Sequence, residues 1–150
     1  MFFKKFGQMY RIVRVKKVRR YYRRKRKPNS VVSKKEYAQH VDKARKIVHE
    51  KLEAWHKFYL ENFNVELNYN RVAIKNSKTR WGSCSSKKNL NFSYKIVFLN
   101  EEERDYLIIH ELCHLQQMNH GPNFWKLVSL GCPNFLVLRH KLRRWKMGES

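Results

Sequence analysis

Apolar positions in this chain recur at two different periods, and the switch between them marks its organisation. Tyr37, Val41, Ala44, Val48, Leu52, Trp55 and Tyr59 fall at spacings of three and four, the stripe of one long helix. Ser33-Lys34-Lys35-Glu36 reads as a capping box, with Val32 placed to staple onto Tyr37. The helix is expected to run from there to Asn62–Asn64. Beyond it the period shortens to two: Val65, Leu67 and Tyr69, then Val72 and Ile74, then Leu90, Phe92 and Tyr94 alternate with polar residues. Ile96–Leu99 follows as a short apolar run, and Asn76-Ser77-Lys78, Gly82 and Ser85–Asn89 supply turns. The expectation is a small antiparallel sheet of three to four strands.

At Asn100 the helical period returns. Asn100 suits an N-cap, and Glu101, Glu102 and Glu103 complement the helix dipole in the first turn. Tyr106, Ile108, Ile109, Leu112, Cys113 and Leu115 carry this helix to about Met118, where Asn119-His120-Gly121-Pro122 breaks it. A further helix holds Phe124, Trp125, Leu127, Val128 and Leu130; Gly131-Cys132-Pro133 ends it, and a basic helix runs from about Phe135 to Trp145. A long helix, then strands, then helices is the order of an α+β fold with segregated layers.

Composition divides this picture at residue 30. Residues 1–27 hold thirteen Lys or Arg and no acid, and Pro28, Asn29 and Ser30 read as a linker. We therefore expect a basic extension over 1–30 and one folded domain over 31–150. Within the extension Ile12, Val13, Val15 and Val18 alternate loosely with basic residues, as an edge strand would. Lys+Arg 34 against Asp+Glu 12 leaves a net +22, which favours polyanions. With Phe2, Phe3, Phe6, Tyr10, Tyr21 and Tyr22 among the charges, nonspecific nucleic-acid binding through the N-terminus is expected. Cys84, Cys113 and Cys132 are too few and too widely spaced for a disulfide framework, which fits a reducing compartment. No apolar run approaches the roughly 18 residues of a membrane span, and charges interrupt every apolar stretch near the N-terminus. A cytoplasmic protein with no membrane partner is expected.

The chemistry concentrates in His110-Glu111-Leu112-Cys113-His114, an HExxH sequence on a helix. Residues four apart share a helix face, so two imidazoles can converge on one zinc ion. The glutamate beside the first histidine reaches a water on that ion without ligating, as a general base would. The third ligand is expected from His120. On a continuous helix it would lie about 9 Å beyond His114 and on another face. The break at Asn119, Gly121 and Pro122 removes that obstacle. Cys113 points about 100° away from His114 around the helix and belongs to the core instead. The His110-to-His120 spacing equals that of the metzincins, but Gln117 stands where they carry glycine and no clear Met-turn follows. Arg80 is a candidate oxyanion stabiliser, with Trp81 and Gly82 equally readable as a packed turn. His40, His49 and His56 lie on the long helix without a second ligand partner at i+4, and His140 reads as a surface residue of the basic helix.

Thr79-Arg80-Trp81-Gly82-Ser83-Cys84-Ser85, Leu90-Asn91-Phe92, His110–Leu115, Asn119-His120 and Phe124-Trp125 together resemble the YgjP-like metallopeptidase domain, a family related to the SprT-like zincins. The resemblance spans about residues 70–145. It implies a zincin-like fold, His110, His114 and His120 as metal ligands, and Glu111 as base. It also implies that the strand near Leu90–Tyr94 flanks the cleft. A zinc-dependent hydrolase acting on peptide or protein is the first expectation. Hydrolysis of a nucleoside triphosphate by the same site is the second, since such an activity has been attributed to a family member. A nucleic-acid-associated module with a structural metal, closed by a fourth ligand such as Cys84, is the third.

Overall fold

The computed structural model describes residues 2–5, 8–11 and 31–145. Strands β1 (Phe2–Lys5) and β2 (Gln8–Arg11) pair antiparallel, with Phe3 opposite Tyr10. The edge strand expected over Ile12–Val18 and the aromatic residues Phe6, Tyr21 and Tyr22 lie outside the described residues.

Helix α1 spans Val31–Phe63, so Ser33 lies inside its first turn rather than ahead of it. Its predicted stripe is the buried one: Ala44, Val48, Leu52 and Tyr59 are fully enclosed. The helix stops where Asn64 takes a left-handed conformation at φ 53°, which asparagine tolerates better than most residues. Leu67 is buried and Val65 partly so, and neither joins a strand.

Strands β3 (Arg71–Lys75), β4 (Gly82–Cys84) and β5 (Asn89–Ser93) form one sheet in the order β3-β5-β4. Here the structure corrects the antiparallel expectation. β4 and β5 pair antiparallel, but β3 and β5 run parallel, with Val72 opposite Leu90 and Ile74 opposite Phe92. The connection over 76–88 is long enough for the crossover a parallel pair needs, and β4 lies within it. Alternation along a strand reports a buried face and not the direction of its neighbour. The apolar run after β5 is a 3-10 helix at Tyr94–Phe98, not a strand. Ser93 caps it by accepting from the Lys95 amide, and Arg104 donates to the carbonyls of Ile96 at 3.0 Å and Val97 at 2.7 Å.

Helix α2 (Glu101–Cys113) runs through the centre of the molecule, against α1, β4 and the two helices that follow. Its start is as expected: the Asn100 side chain accepts from the Glu103 amide while Glu103 accepts from the Asn100 amide. Ile108, Ile109, Leu112 and Cys113 are fully buried, each large side chain contributing roughly 1.5–3 kcal/mol by leaving water. Lys51 ties α1 to α2 through Glu101 and through Asp105, at 2.6 Å from the latter, which also accepts from Trp55 Nε1 at 2.9 Å. Helices α3 (Pro122–Gly131) and α4 (Phe135–Arg144) complete the layer. No helix among the described residues is long and apolar enough to cross a membrane.

One close approach fixes α3 against α1. Tyr59 donates its hydroxyl to the Leu127 carbonyl at 2.8 Å, and a Cβ at Gly131 would stand 2.8 Å from that hydroxyl oxygen and 3.0 Å from the ring. Because Tyr59 is fully buried, it has little room to yield. Gly131→Ala is expected to cost roughly 1–3 kcal/mol in a denaturant melt, the usual range for overpacking. A loss below about 0.5 kcal/mol would show that the ring moves aside freely.

Candidate metal centre

His110 and His114 lie one turn apart at the C-terminal end of α2, and His114 is its C-cap. The helix therefore ends at Cys113, ahead of the expected stop near Met118. The reason is partly local and partly distant. Leu115 and Gln116 close tightened turns onto the Leu112 and Cys113 carbonyls, and Gln116 Nε2 donates to the Glu66 carbonyl at 2.8 Å. Residues 114–121 then form the loop that returns His120 to the helix face. Its far end is set by Gly121 as the N-cap of α3 and Pro122 at that helix's first position, where a missing amide costs nothing.

The three imidazoles meet. Nε2 of His114 is 3.2 Å from Nε2 of His110 and 3.1 Å from Nε2 of His120, and the remaining pair is 3.2 Å apart. Among the described residues these three form the group able to hold a metal ion. Three nitrogens bound tetrahedrally at about 2.0–2.1 Å would stand roughly 3.3–3.4 Å apart, so the triangle fits an ion with a shift of a few tenths of an ångström. Proton positions agree. Nδ1 of His114 is 3.0 Å from the Gln117 carbonyl, which can only accept, so Nδ1 carries the hydrogen and Nε2 offers a lone pair. The Tyr106 hydroxyl oxygen lies 3.3 Å from Nδ1 of His110 and can accept from it in the same way. Burial, reinforced by the neighbouring His114 and His120, pushes His110 down to about 3; burial also lowers His114 and His120. Protons therefore compete weakly for these lone pairs.

Two rings from α3 brace the triad. Phe124, fully buried, stacks on His114 with centroids 4.4 Å apart, and Trp125 stacks on His120 at 5.7 Å. Trp125 also donates Nε1 to the His120 carbonyl at 3.2 Å. Phe124 is a core residue, as its helical spacing suggests, yet it also positions a ligand candidate.

Glu111 follows His110 on α2 and is 5% exposed. Its Oε2 is fully enclosed with no hydrogen-bond partner among the described residues, and burial pushes the carboxyl up to about 8. Gly82 on β4 lies against it: a Cβ there would fall 2.8 Å from Oε1, 2.9 Å from Cγ and 3.0 Å from Cδ of Glu111. The glycine is needed for space. Cys84, two residues further along β4, has its thiol pushed up to about 11 by burial and then by the nearby Glu111. It lies outside the histidine group. Cys113 is enclosed in the core against Tyr59, as expected.

A cavity of about 620 Å³ opens beside His110, His120 and Glu111. The strand at its wall is β4 with the preceding Trp81, whereas β5, the strand near Leu90, is central in the sheet. Its opposite wall comes from α4 and the residue after it: Arg139, Arg143 and Trp145, the last in edge contact with Trp81 at 5.5 Å. Arg80 also lines the cavity. Arg139 and Arg143 are the residues that the sequence pattern passed over. Their signal was available, since each follows a buried leucine of α4, Leu138 or Leu142, and so sits at the border of the packed stripe.

The family described as YgjP-like, metallopeptidase domain, matches residues 2–145. Among solved structures the chain is similar to abylysin, a metallopeptidase zymogen of Pyrococcus abyssi. The two are 25% identical over 63% of this chain and 90% of that one, with a TM-score of 0.52. It is also similar to jannalysin, a metallopeptidase zymogen of Methanocaldococcus jannaschii, 27% identical over 66% of this chain and 96% of that one, with a TM-score of 0.43. No curated protein sequence matches the chain.

Proposed function

From the premise that this chain belongs to the YgjP-like metallopeptidase family and is a metal-dependent hydrolase, we propose that it is a zinc peptidase in which His110, His114 and His120 hold the ion and Glu111 is the general base. The observation that carries the reading is the convergence of three imidazole nitrogens beside an enclosed carboxyl whose Oε2 has no protein partner among the described residues. A zinc ion bound there would supply Lewis acidity, polarising the scissile carbonyl and bringing the pKa of a water to about 7.

The chain's own residues do the rest. Glu111 takes the proton of the attacking water and hands it to the departing amine, which lets one carboxyl serve as base and then as acid. Its rotamer is set by Gly82 on one side and by the core on the other. Gln117 and Tyr106 hold the imidazoles of His114 and His110 in the ligating orientation. Among the described residues β4 pairs only with β5, which leaves its other edge to an extended peptide lying beside Trp81. That Cys84 stays outside the donor group supports an open fourth position, as catalysis requires and a structural site does not. The folded unit over 31–150 would carry this chemistry, with 1–30 as a basic extension. The three free cysteines support a cytoplasmic setting.

Fluorogenic peptide libraries and nucleoside triphosphates, each offered to zinc-loaded and chelator-treated protein, test the reading. Peptide cleavage that stops on chelation and returns with zinc is the expected result. Hydrolysis of triphosphates with every peptide intact would overturn it.

A further inference from the structure

The cavity beside the triad holds more positive charge than water activation uses. Glu111 is the sole acid among its lining residues, against Arg80, Arg139 and Arg143. Arg139 and Arg143 are four apart on α4, so they share a face about 6 Å apart along the axis. The basic residues on the outer side of that helix, Lys141 and Arg144, do not line the cavity.

The two guanidinium groups are also unspent. Ion pairs among the described residues engage Arg45, Lys46, Lys51, Lys57 and Arg104, and none engages Arg139 or Arg143. Arg139 is held in place all the same: its guanidinium carbon lies 4.6 Å over the Trp125 ring. Stacking occupies a face of the guanidinium and leaves its in-plane N–H fork free for a planar anion. Trp125 in turn stacks on His120, which puts this fork one ring away from the triad. Two cations with no ion-pair partner among the described residues, four apart on one helix, repel each other until an anion arrives.

We propose that Arg139 and Arg143 form a subsite for a carboxylate carried by the peptide substrate, on the α4 side of the scissile bond. The inference rests on the peptidase reading above. A carboxylate matches the flat, two-pronged presentation of a guanidinium. In a peptide it comes from an Asp or Glu side chain or from the C-terminus, and these sources separate by experiment.

The test is a binding titration, read by tryptophan fluorescence, of zinc-loaded Glu111→Gln protein. Its cavity walls include Trp81, Trp125 and Trp145. Three peptide sets of one length are compared: neutral and amidated, neutral with a free C-terminus, and amidated with one Asp or Glu. One of the two carboxylate-bearing sets is expected to bind roughly 10- to 100-fold more tightly than the neutral amidated set. Arg139→Gln with Arg143→Gln is expected to erase that ratio. Arg45→Gln with Lys57→Gln, which removes the same charge from α1, is expected to keep it. Arg143→Gln alone leaves the Trp125 stack intact and is expected to lower the ratio, so misfolding of the double variant does not shield the idea. Equal binding of all three sets, or a ratio that survives the double variant, overturns the subsite. Failure of the peptidase reading looks different: the native enzyme would then cleave no peptide, neutral sets included.

Discussion

Under the proposed mechanism Glu111→Gln is expected to hold as much zinc as the native protein, and to lose roughly 10²- to 10⁴-fold in kcat. Glutamine keeps the shape of the side chain and can fill the same enclosed space between Gly82 and the core. It cannot take a proton. The triad is untouched by the change, because none of its three nitrogens contacts the carboxyl through a hydrogen bond. Metal content by elemental analysis and turnover on the best peptide from the library separate the two effects. Retained turnover at native metal content would remove Glu111 from the mechanism, and lost metal would mean that it supports the ligands instead.

Gly82→Ala is expected to lose about 10²-fold in kcat with metal content unchanged, through a residue that carries no chemistry of its own. The added methyl would lie 2.8–3.0 Å from three atoms of Glu111, closer than real Cβ contacts permit, so the carboxylate or β4 must move. Displacement of a reacting group by about 1 Å is enough for a loss of that size. Ser83→Ala, the next residue on the same strand, serves as the control. Ser83 accepts from Asn91 Nδ2 at 3.2 Å within the sheet, and its loss is expected to change kcat by no more than a few-fold. If Gly82→Ala turns over at the native rate, the contact between β4 and Glu111 is not what sets the position of the base.

These contrasts show what the sequence could and could not reveal. The stripe of α1 and the cap of α2 were legible because each depends on residues within two or three turns. His110 and His114 were legible for the same reason, and His120 because its neighbours Gly121 and Pro122 start a new helix. The stopping point of α2 was not, since it depends on Gln116 reaching the Glu66 carbonyl, fifty residues away. Nor was the parallel pairing of β3 with β5, which depends on how the 76–88 connection closes. Ile96 and Val97 read as strand because they are apolar, yet Arg104 ties their carbonyls into a tight turn. Gly82 carries a meaning that appears only when β4 meets α2. Arg139 and Arg143 were hidden in a general excess of positive charge, and only their side of α4 sets them apart.

The loop over 114–121 has one more consequence. His120 is tethered by Trp125 at its carbonyl and its ring, and His114 by Gln117 and Phe124, all of them protein groups. Each histidine is thus held by protein groups at two points, so loss of any one of them is expected to loosen a single ring and leave the other aimed.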